Sequence, residues 1–245
     1  MSWRAIRRAV ALGLALALSI VRYWLQRLRG PLTMEQRAQW VHQTCRGVLS
    51  VVGVRFRVEG RPPTHGLLVA NHLSYLDILI IGAATPCFFV SKAEIGGWFF
   101  FGQAARAGGT LFIDRASLAS AEKVSAMIAE RLKLPVPVLF FPEGTTSDGR
   151  TLLRFRSRFF DPAAVAGAPV TTATLRYVLQ DGTPESELCW VGDDLFLPHL
   201  WKVLGTAGFT ATVHFGEPRV YPDRRVAADL THAEIAARRV QLPLP

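Results

Sequence analysis

From Val54 onward the chain alternates short β-rich runs with helical stretches, and this alternation restricts the fold more than any other feature. Strand-like runs occur at Phe56 to Val58, Leu67 to Ala70, Phe88 to Val90, Thr110 to Ile113, Val136 to Phe141, Val170 to Tyr177 and Thr210 to Phe215. Helical signals fall between them at Ile78 to Ala84, Ile95 to Ala104 and Leu118 to Leu132. Near the end, Thr231 with Glu234 three residues on reads as a capping box that opens a last helix. Interleaving of this kind predicts an α/β domain, a mixed sheet flanked by helices. Half of the 245 residues are hydrophobic, enough for a sizeable core. No repeat or low-complexity linker divides residues 51–245, and Asp181-Gly182-Thr183-Pro184 is a turn signal rather than a boundary.

Residues 1–50 are different. Ala9 to Val21 is a nearly unbroken apolar run preceded by Arg4, Arg7 and Arg8. No convincing small-x-small cleavage site stands before Arg22, and Tyr23, Trp24 and Leu25 supply aromatics suited to a membrane interface. An uncleaved anchor is expected. The 13-residue run is short of the roughly 20 needed to span a bilayer, so the sequence leaves a spanning and an interfacial helix both open. Gly30-Pro31 breaks the segment, and Met34 to Val48 reads as a second helix. The formal charge of +9 resides wholly in the stretch ending at Arg61, where eleven Arg face only Glu35 and Glu59. Charge so placed beside apolar residues suits an anionic leaflet, each Arg adding about 1 kcal/mol. Arg27, Arg29 and Arg37 favour the inner face of the cytoplasmic membrane. No nucleic-acid module accompanies the basic stretch, so nucleic acid is not an expected partner. Cys45, Cys87 and Cys189 form no C-x-x-C pair, which points to reduced structural thiols and no metal site.

The chemistry concentrates at Asn71-His72-Leu73-Ser74-Tyr75-Leu76-Asp77. In a continuous helix His72 and Asp77 would point about 140° apart. If His72 instead sits in the loop leaving a strand, and Ser74 caps the helix that follows, Asp77 falls in the first turn and faces back toward the imidazole. A carboxylate on one ring nitrogen fixes the tautomer and stabilises the imidazolium, so the other nitrogen can take a proton from a hydroxyl. The same spacing is also an ordinary capping box, and spacing alone leaves both readings open. No G-x-S-x-G accompanies the segment, so the hydroxyl to be activated is expected to belong to a substrate.

Three later blocks bear on the choice. Gly109-Thr110-Leu111-Phe112-Ile113-Asp114-Arg115 puts an arginine at a strand end, Phe141-Pro142-Glu143-Gly144-Thr145 turns through a glycine into hydroxyl residues, and Ala168-Pro169-Val170 opens another strand. With Asn-His-x-x-x-x-Asp, these four ordered blocks resemble the glycerolipid acyltransferase family, whose members include the 1-acylglycerol-3-phosphate acyltransferases. The resemblance covers Asn71 to about Tyr177. It implies acyl transfer from acyl-CoA or acyl carrier protein to a lysophospholipid in phospholipid biosynthesis, with 1-acylglycerol-3-phosphate as the leading acceptor and no cofactor or covalent acyl-enzyme. It also implies that residues 51–245 are the catalytic domain, with His72 as general base and Asp77 as its partner. Substrate contacts are then expected from Lys92, Arg115, Glu143, Gly144 and Thr145, with Glu143 orienting Arg115 or receiving a substrate hydroxyl. Thr146 and Arg158 depart from the Arg and Gly common in the family, and Thr145-Thr146-Ser147 with Cys189 to Asp193 resembles members acting on other lysolipids, such as ornithine-lipid or lysophosphatidylcholine types. A non-catalytic lipid-binding protein of the same fold is the rival class.

Overall fold

The structure, a computed structural model, describes residues 2–98, 101–114 and 118–242, and within them the side chains of all but Leu118 and Ala121. Two long helices lead, α1 (Trp3–Arg27) and α2 (Met34–Val52). Thr33 and Gln36 close a reciprocal capping box at the start of α2, and Gly53 ends it at φ 81°, a conformation that an L side chain rarely adopts. Strand β1 (Val54–Glu59) follows, then β2 (Leu67–Ala70), α3 (Leu76–Ala84), β3 (Phe88–Lys92), α4 (Ala93–Gly96), α5 (Phe101–Ala107) and β4 (Leu111–Ile113). The remainder is α6 (Leu118–Arg131), β5 (Val138–Phe140), α7 (Asp161–Ala166), β6 (Val170–Leu179), α8 (Phe196–Gly205), β7 (Phe209–Phe215) and α9 (Arg224–Gln241), with 3-10 turns at Ser157–Phe160 and Glu185–Leu188.

Among the described residues the strands form one seven-stranded sheet in the order β1-β7-β6-β2-β5-β3-β4. Every pairing is parallel except β6 with β7, so the expected mixed sheet is present. Helices cover both faces. All four residues of β2 are buried, with Leu68 and Ala70 in one apolar cluster with Val48, Leu49 and Ile80, and Leu67 and Val69 in another with Ile128, Phe160 and Ile235. This is the two-residue alternation of a strand sandwiched between layers. The parallel strands β2, β5, β3 and β4 all end at one edge of the sheet, where open α/β sheets place their sites.

Three local expectations change. The apolar run is not a 13-residue helix but the middle of a 25-residue one, long and apolar enough to cross a membrane. Its arginine-bearing start is held helical because Arg8 Nη1 donates to the carbonyls of Leu204 (3.1 Å) and Thr206 (2.8 Å), and Arg4 to Thr206, at the C-terminal end of α8. Farther along, Trp40 Nε1 donates to the Ser19 carbonyl at 3.0 Å and the Ser19 and Thr44 hydroxyls bond, which lashes α1 to α2. Val10, Leu14, Leu18, Val21 and Leu25, three and four residues apart, make an exposed apolar stripe on α1.

The last helix starts two turns before the Thr231-x-x-Glu234 box. Asp223 caps it by accepting from Arg225 N–H (2.7 Å) and Val226 N–H (3.0 Å), whereas buried Thr231 bonds back to the Ala227 carbonyl at 2.7 Å. Glu234 accepts from the Thr172 hydroxyl instead. Finally, α3 begins at Leu76, and the Ser74 hydroxyl has no partner among the described residues, so Ser74 is not the side-chain cap.

Candidate active site

The site forms where β2 ends. Asn71 extends the pairing of β2 with β6 through its side chain: Oδ1 accepts from Leu175 N–H at 2.8 Å and Nδ2 donates to the Leu175 carbonyl at 3.2 Å. An amide side chain thus completes the ladder, and the backbone is released from the strand one residue before His72.

His72 and Asp77 meet as the loop reading requires. Asp77 lies in the first turn of α3 with no exposure, and its Oδ2 is 2.7 Å from His72 Nδ1. The same oxygen accepts from Leu73 N–H (2.6 Å) and Ser74 N–H (2.9 Å), so half of a capping box exists without its serine half. Tyr177 donates its hydroxyl to the other oxygen, Oδ1. Because an ionised carboxylate only accepts, Nδ1 carries the proton and Nε2 presents a lone pair. No described residue bonds Nε2. The ring lies flat on Phe141, with centroids 3.9 Å apart and planes 11° apart, and its side chain keeps 15% exposure. A base so fixed and partly open can take a proton from a bound hydroxyl.

Glu143 occupies the loop leaving β5 and is buried. Its Oε1 accepts from His72 N–H at 2.6 Å and its Oε2 from Leu153 N–H at 3.0 Å. Both carboxylate oxygens therefore tie backbone segments together, and the side chain braces the His72 loop. Ser147 N–H closes the same junction on the His72 carbonyl at 2.9 Å. Gly144 turns at φ 76°, a conformation that an L side chain rarely adopts, and a Cβ there would press on the Arg156 side chain. Thr145 is exposed beside it, and Lys92 is exposed at the end of β3, on the same sheet edge. Arg115 lies outside the described residues, as do Phe99 and Phe100 of the four consecutive aromatics Trp98-Phe99-Phe100-Phe101. From that run, Trp98 and Phe101 each set a ring edge against Phe196, which also meets Tyr75 of the His72–Asp77 segment. A cleft of about 380 Å³ between Arg154, Phe155 and His232 is lined by neither His72 nor Asp77. Among the described residues no cluster of three or more His, Cys, Asp or Glu could hold a metal.

Burial pushes the Glu143 carboxyl up to about 7, opposed by the N–H groups of Leu153 and His72 and assisted by the charge of Asp77. Unfolded, the group titrates at its ordinary 4.5, so between these values the folded chain holds a proton that the unfolded chain releases. The stability it contributes is complete below about 4.5 and is lost as pH rises through about 7. Urea unfolding at pH 5 and pH 8 should therefore show the native protein losing up to about 3 kcal/mol more than Glu143→Gln across that interval. Equal slopes for the two proteins would rule the assignment out.

Sequence reasoning missed Tyr177, Glu185 and Arg239. Tyr177 N–H donates to Glu185 Oε1 at 2.7 Å, and Arg239 of α9 pairs with Glu185 Oε2 at 2.7 Å while donating to the Leu175 carbonyl at 2.6 Å. These residues share no motif with the His72–Asp77 segment, and only the sheet brings them to it.

Known proteins resemble this chain in sequence and in fold. A family model described as Acyltransferase matches residues 54–176. A lyso-ornithine lipid O-acyltransferase of Pseudomonas aeruginosa is 35% identical over 240 residues, covering 95% of this chain and 86% of that one. A 1-acyl-sn-glycerol-3-phosphate acyltransferase of Neisseria meningitidis serogroup B is 37% identical over 186 residues, 74% of this chain and 72% of its own. The crystal structure of the 1-acyl-sn-glycerophosphate acyltransferase PlsC from Thermotoga maritima superposes with a TM-score of 0.71 at 16% identity, covering 98% of this chain and 94% of that one, which establishes a common fold.

Proposed function

Since the chain belongs to the acyltransferase family, we propose that it transfers an acyl chain from an acyl thioester to the free hydroxyl of a lysolipid, with His72 as general base and Asp77 as its orienting partner. The observation that carries this reading is the 2.7 Å bond from His72 Nδ1 to a buried carboxylate, which leaves Nε2 unbonded by any described residue. In the reaction Nε2 removes the hydroxyl proton as the oxygen attacks the thioester carbonyl. The tetrahedral adduct then collapses, the carbon–sulfur bond breaks, and the imidazolium returns its proton to the departing thiolate. Asp77 stabilises the imidazolium between these two transfers. Positioning supplies much of the acceleration, because a lipid acceptor and a soluble donor must meet in one orientation.

The donor in this reading is acyl-CoA or acyl carrier protein, and the acceptor is a lysophospholipid, 1-acylglycerol-3-phosphate in the main reading. Lys92, Arg115 and the Gly144-Thr145 turn are the groups proposed to meet its phosphate. Lyso-ornithine lipid is a second acceptor, favoured by the likeness to the Pseudomonas aeruginosa protein over 95% of the chain. Residues 51–245 form the catalytic domain, and residues 1–50 hold it to the inner face of the cytoplasmic membrane through the apolar stripe of α1. The test is to incubate purified protein with both donors and a panel of 1-acylglycerol-3-phosphate, lyso-ornithine lipid and lysophosphatidylcholine, and to read products by mass spectrometry. One acceptor should gain one acyl chain. A panel with no acylated product would sink the proposal.

A further inference from the structure

The carboxylate of Asp77 is divided between two tasks. Oδ2 takes three donors of the loop: His72 Nδ1–H and the N–H groups of Leu73 and Ser74. Oδ1 takes the hydroxyl of Tyr177, a residue 100 positions later on β6. Both side chains are fully buried, so neither oxygen is reached by bulk water. The tyrosine is itself clamped. Its N–H donates to Glu185 Oε1, Glu185 Oε2 pairs with Arg239 Nη2, and Arg239 donates to the Leu175 carbonyl and to the Gly149 carbonyl (2.8 Å). The Tyr177 ring packs edge-on against Phe209 at 5.5 Å, leaving the hydroxyl aimed at Asp77.

We propose that Tyr177 is a positioning residue for acyl transfer, acting through Asp77 on His72, and that the Arg239–Glu185 pair fixes the strand that presents it. This inference rests on His72 being the base. A buried tyrosine ordinarily finds a partner for its hydroxyl, so the bond alone does not separate a role in the reaction from mere core satisfaction. The location does. The partner is the one carboxylate that holds the imidazole, on the oxygen the loop leaves vacant. Burial, with the charge of Asp77 adding to it, pushes the Tyr177 hydroxyl well above its usual range, so it remains a donor throughout any assay. Donation to Oδ1 draws charge from the carboxylate and weakens its hold on the Nδ1 proton. Without that donor the Asp77–His72 pair holds an extra proton more tightly. The working form, with the carboxylate ionised and the imidazole neutral, is then lost at a higher pH.

Other ionisable groups face the pair: Glu143 after β5, Glu185 and Cys189 from the 3-10 turn and its exit, and Arg239 from α9. Tyr177 bonds none of them through its hydroxyl, so exchange for phenylalanine isolates the bond to Asp77. In Tyr177→Phe the acid limb of the kcat profile should move up by about one pH unit, which lowers kcat about tenfold at a pH on the limb. KM for both substrates should stay within about twofold, and most of the loss should be regained above the displaced limb. Independently of turnover, the low-field proton resonance of the His72–Asp77 hydrogen bond should move to lower field. Incorporation of 3-fluorotyrosine at position 177 keeps the shape, strengthens the donor and should move the limb the opposite way, which covers the case in which the phenylalanine variant folds poorly. A resonance and limb that stay in place, whatever the drop in rate, overturn the role of Tyr177 alone. A displaced resonance with turnover unchanged at every pH overturns the reading of His72 as base along with it.

Discussion

His72→Ala should lower acyl transfer by about 10²- to 10⁴-fold, the usual contribution of a general base, while the protein folds and binds its substrates. The structural reason to expect a clean result is that little of the fold depends on the ring. It keeps 15% exposure and its main contact is a flat stack on Phe141. The bonds that shape the loop are made by the backbone, His72 N–H to Glu143 and the His72 carbonyl from Ser147, and alanine keeps both. Asp77 loses one donor and retains three. Thermal unfolding by circular dichroism should therefore change only modestly, by about 1 kcal/mol. Turnover measured on lysolipid in mixed micelles is the decisive reading, and an alanine variant with native turnover would remove His72 from the mechanism.

Asp77→Asn separates two functions that share one atom. Oδ2 both caps the start of α3 and orients His72. An asparagine carbonyl placed at Oδ2 still accepts all three donors, and its amide then faces a tyrosine oxygen that can accept. The cap survives, and stability should fall by no more than about 2 kcal/mol. What disappears is the negative charge that stabilises the imidazolium, so kcat should drop by about 10³-fold or more. Asp77→Ala is a different experiment, since it leaves buried N–H groups without an acceptor and should unfold much more easily. Equal losses of stability in the two variants, with turnover of the folded asparagine protein intact, would reduce Asp77 to a cap.

The sequence brought His72 and Asp77 together for reasons that are local. His72 had to precede the helix and Asp77 had to look back from its first turn, and both follow from five residues of spacing. Ser74 misled because a serine three residues before an aspartate has the composition of a capping box, yet its hydroxyl points into the interior unbonded while Asp77 alone performs the capping. Glu143 was picked out by its block, but the bonds it makes were not. Its sequence neighbours suggest contact with substrate or Arg115, whereas its oxygens are spent on His72 N–H and Leu153 N–H. Tyr177, Glu185 and Arg239 lay beyond reach altogether. Their bonds to the site span from 8 to 100 positions and run through a sheet whose strand order is not the chain order. The start of α9 was misplaced because Thr231 and Glu234 satisfy a sequence pattern that a mid-helix threonine, bonded to the preceding turn, also satisfies.

The strand order of the sheet carries a consequence for how this enzyme can be divided. The stretch matched by the family model, residues 54–176, starts with β1 and stops one residue before Tyr177. Among the described residues β1 has a single sheet neighbour, β7, which lies at Phe209–Phe215, outside that unit. Cut at the family limits, the fragment would carry an orphan first strand, a β6 shortened before its last turn toward Asp77, and no Arg239 to anchor it. The stretch that the family model matches is therefore smaller than the unit that strand pairing holds together, and a minimal catalytic fragment has to be drawn by strand pairing.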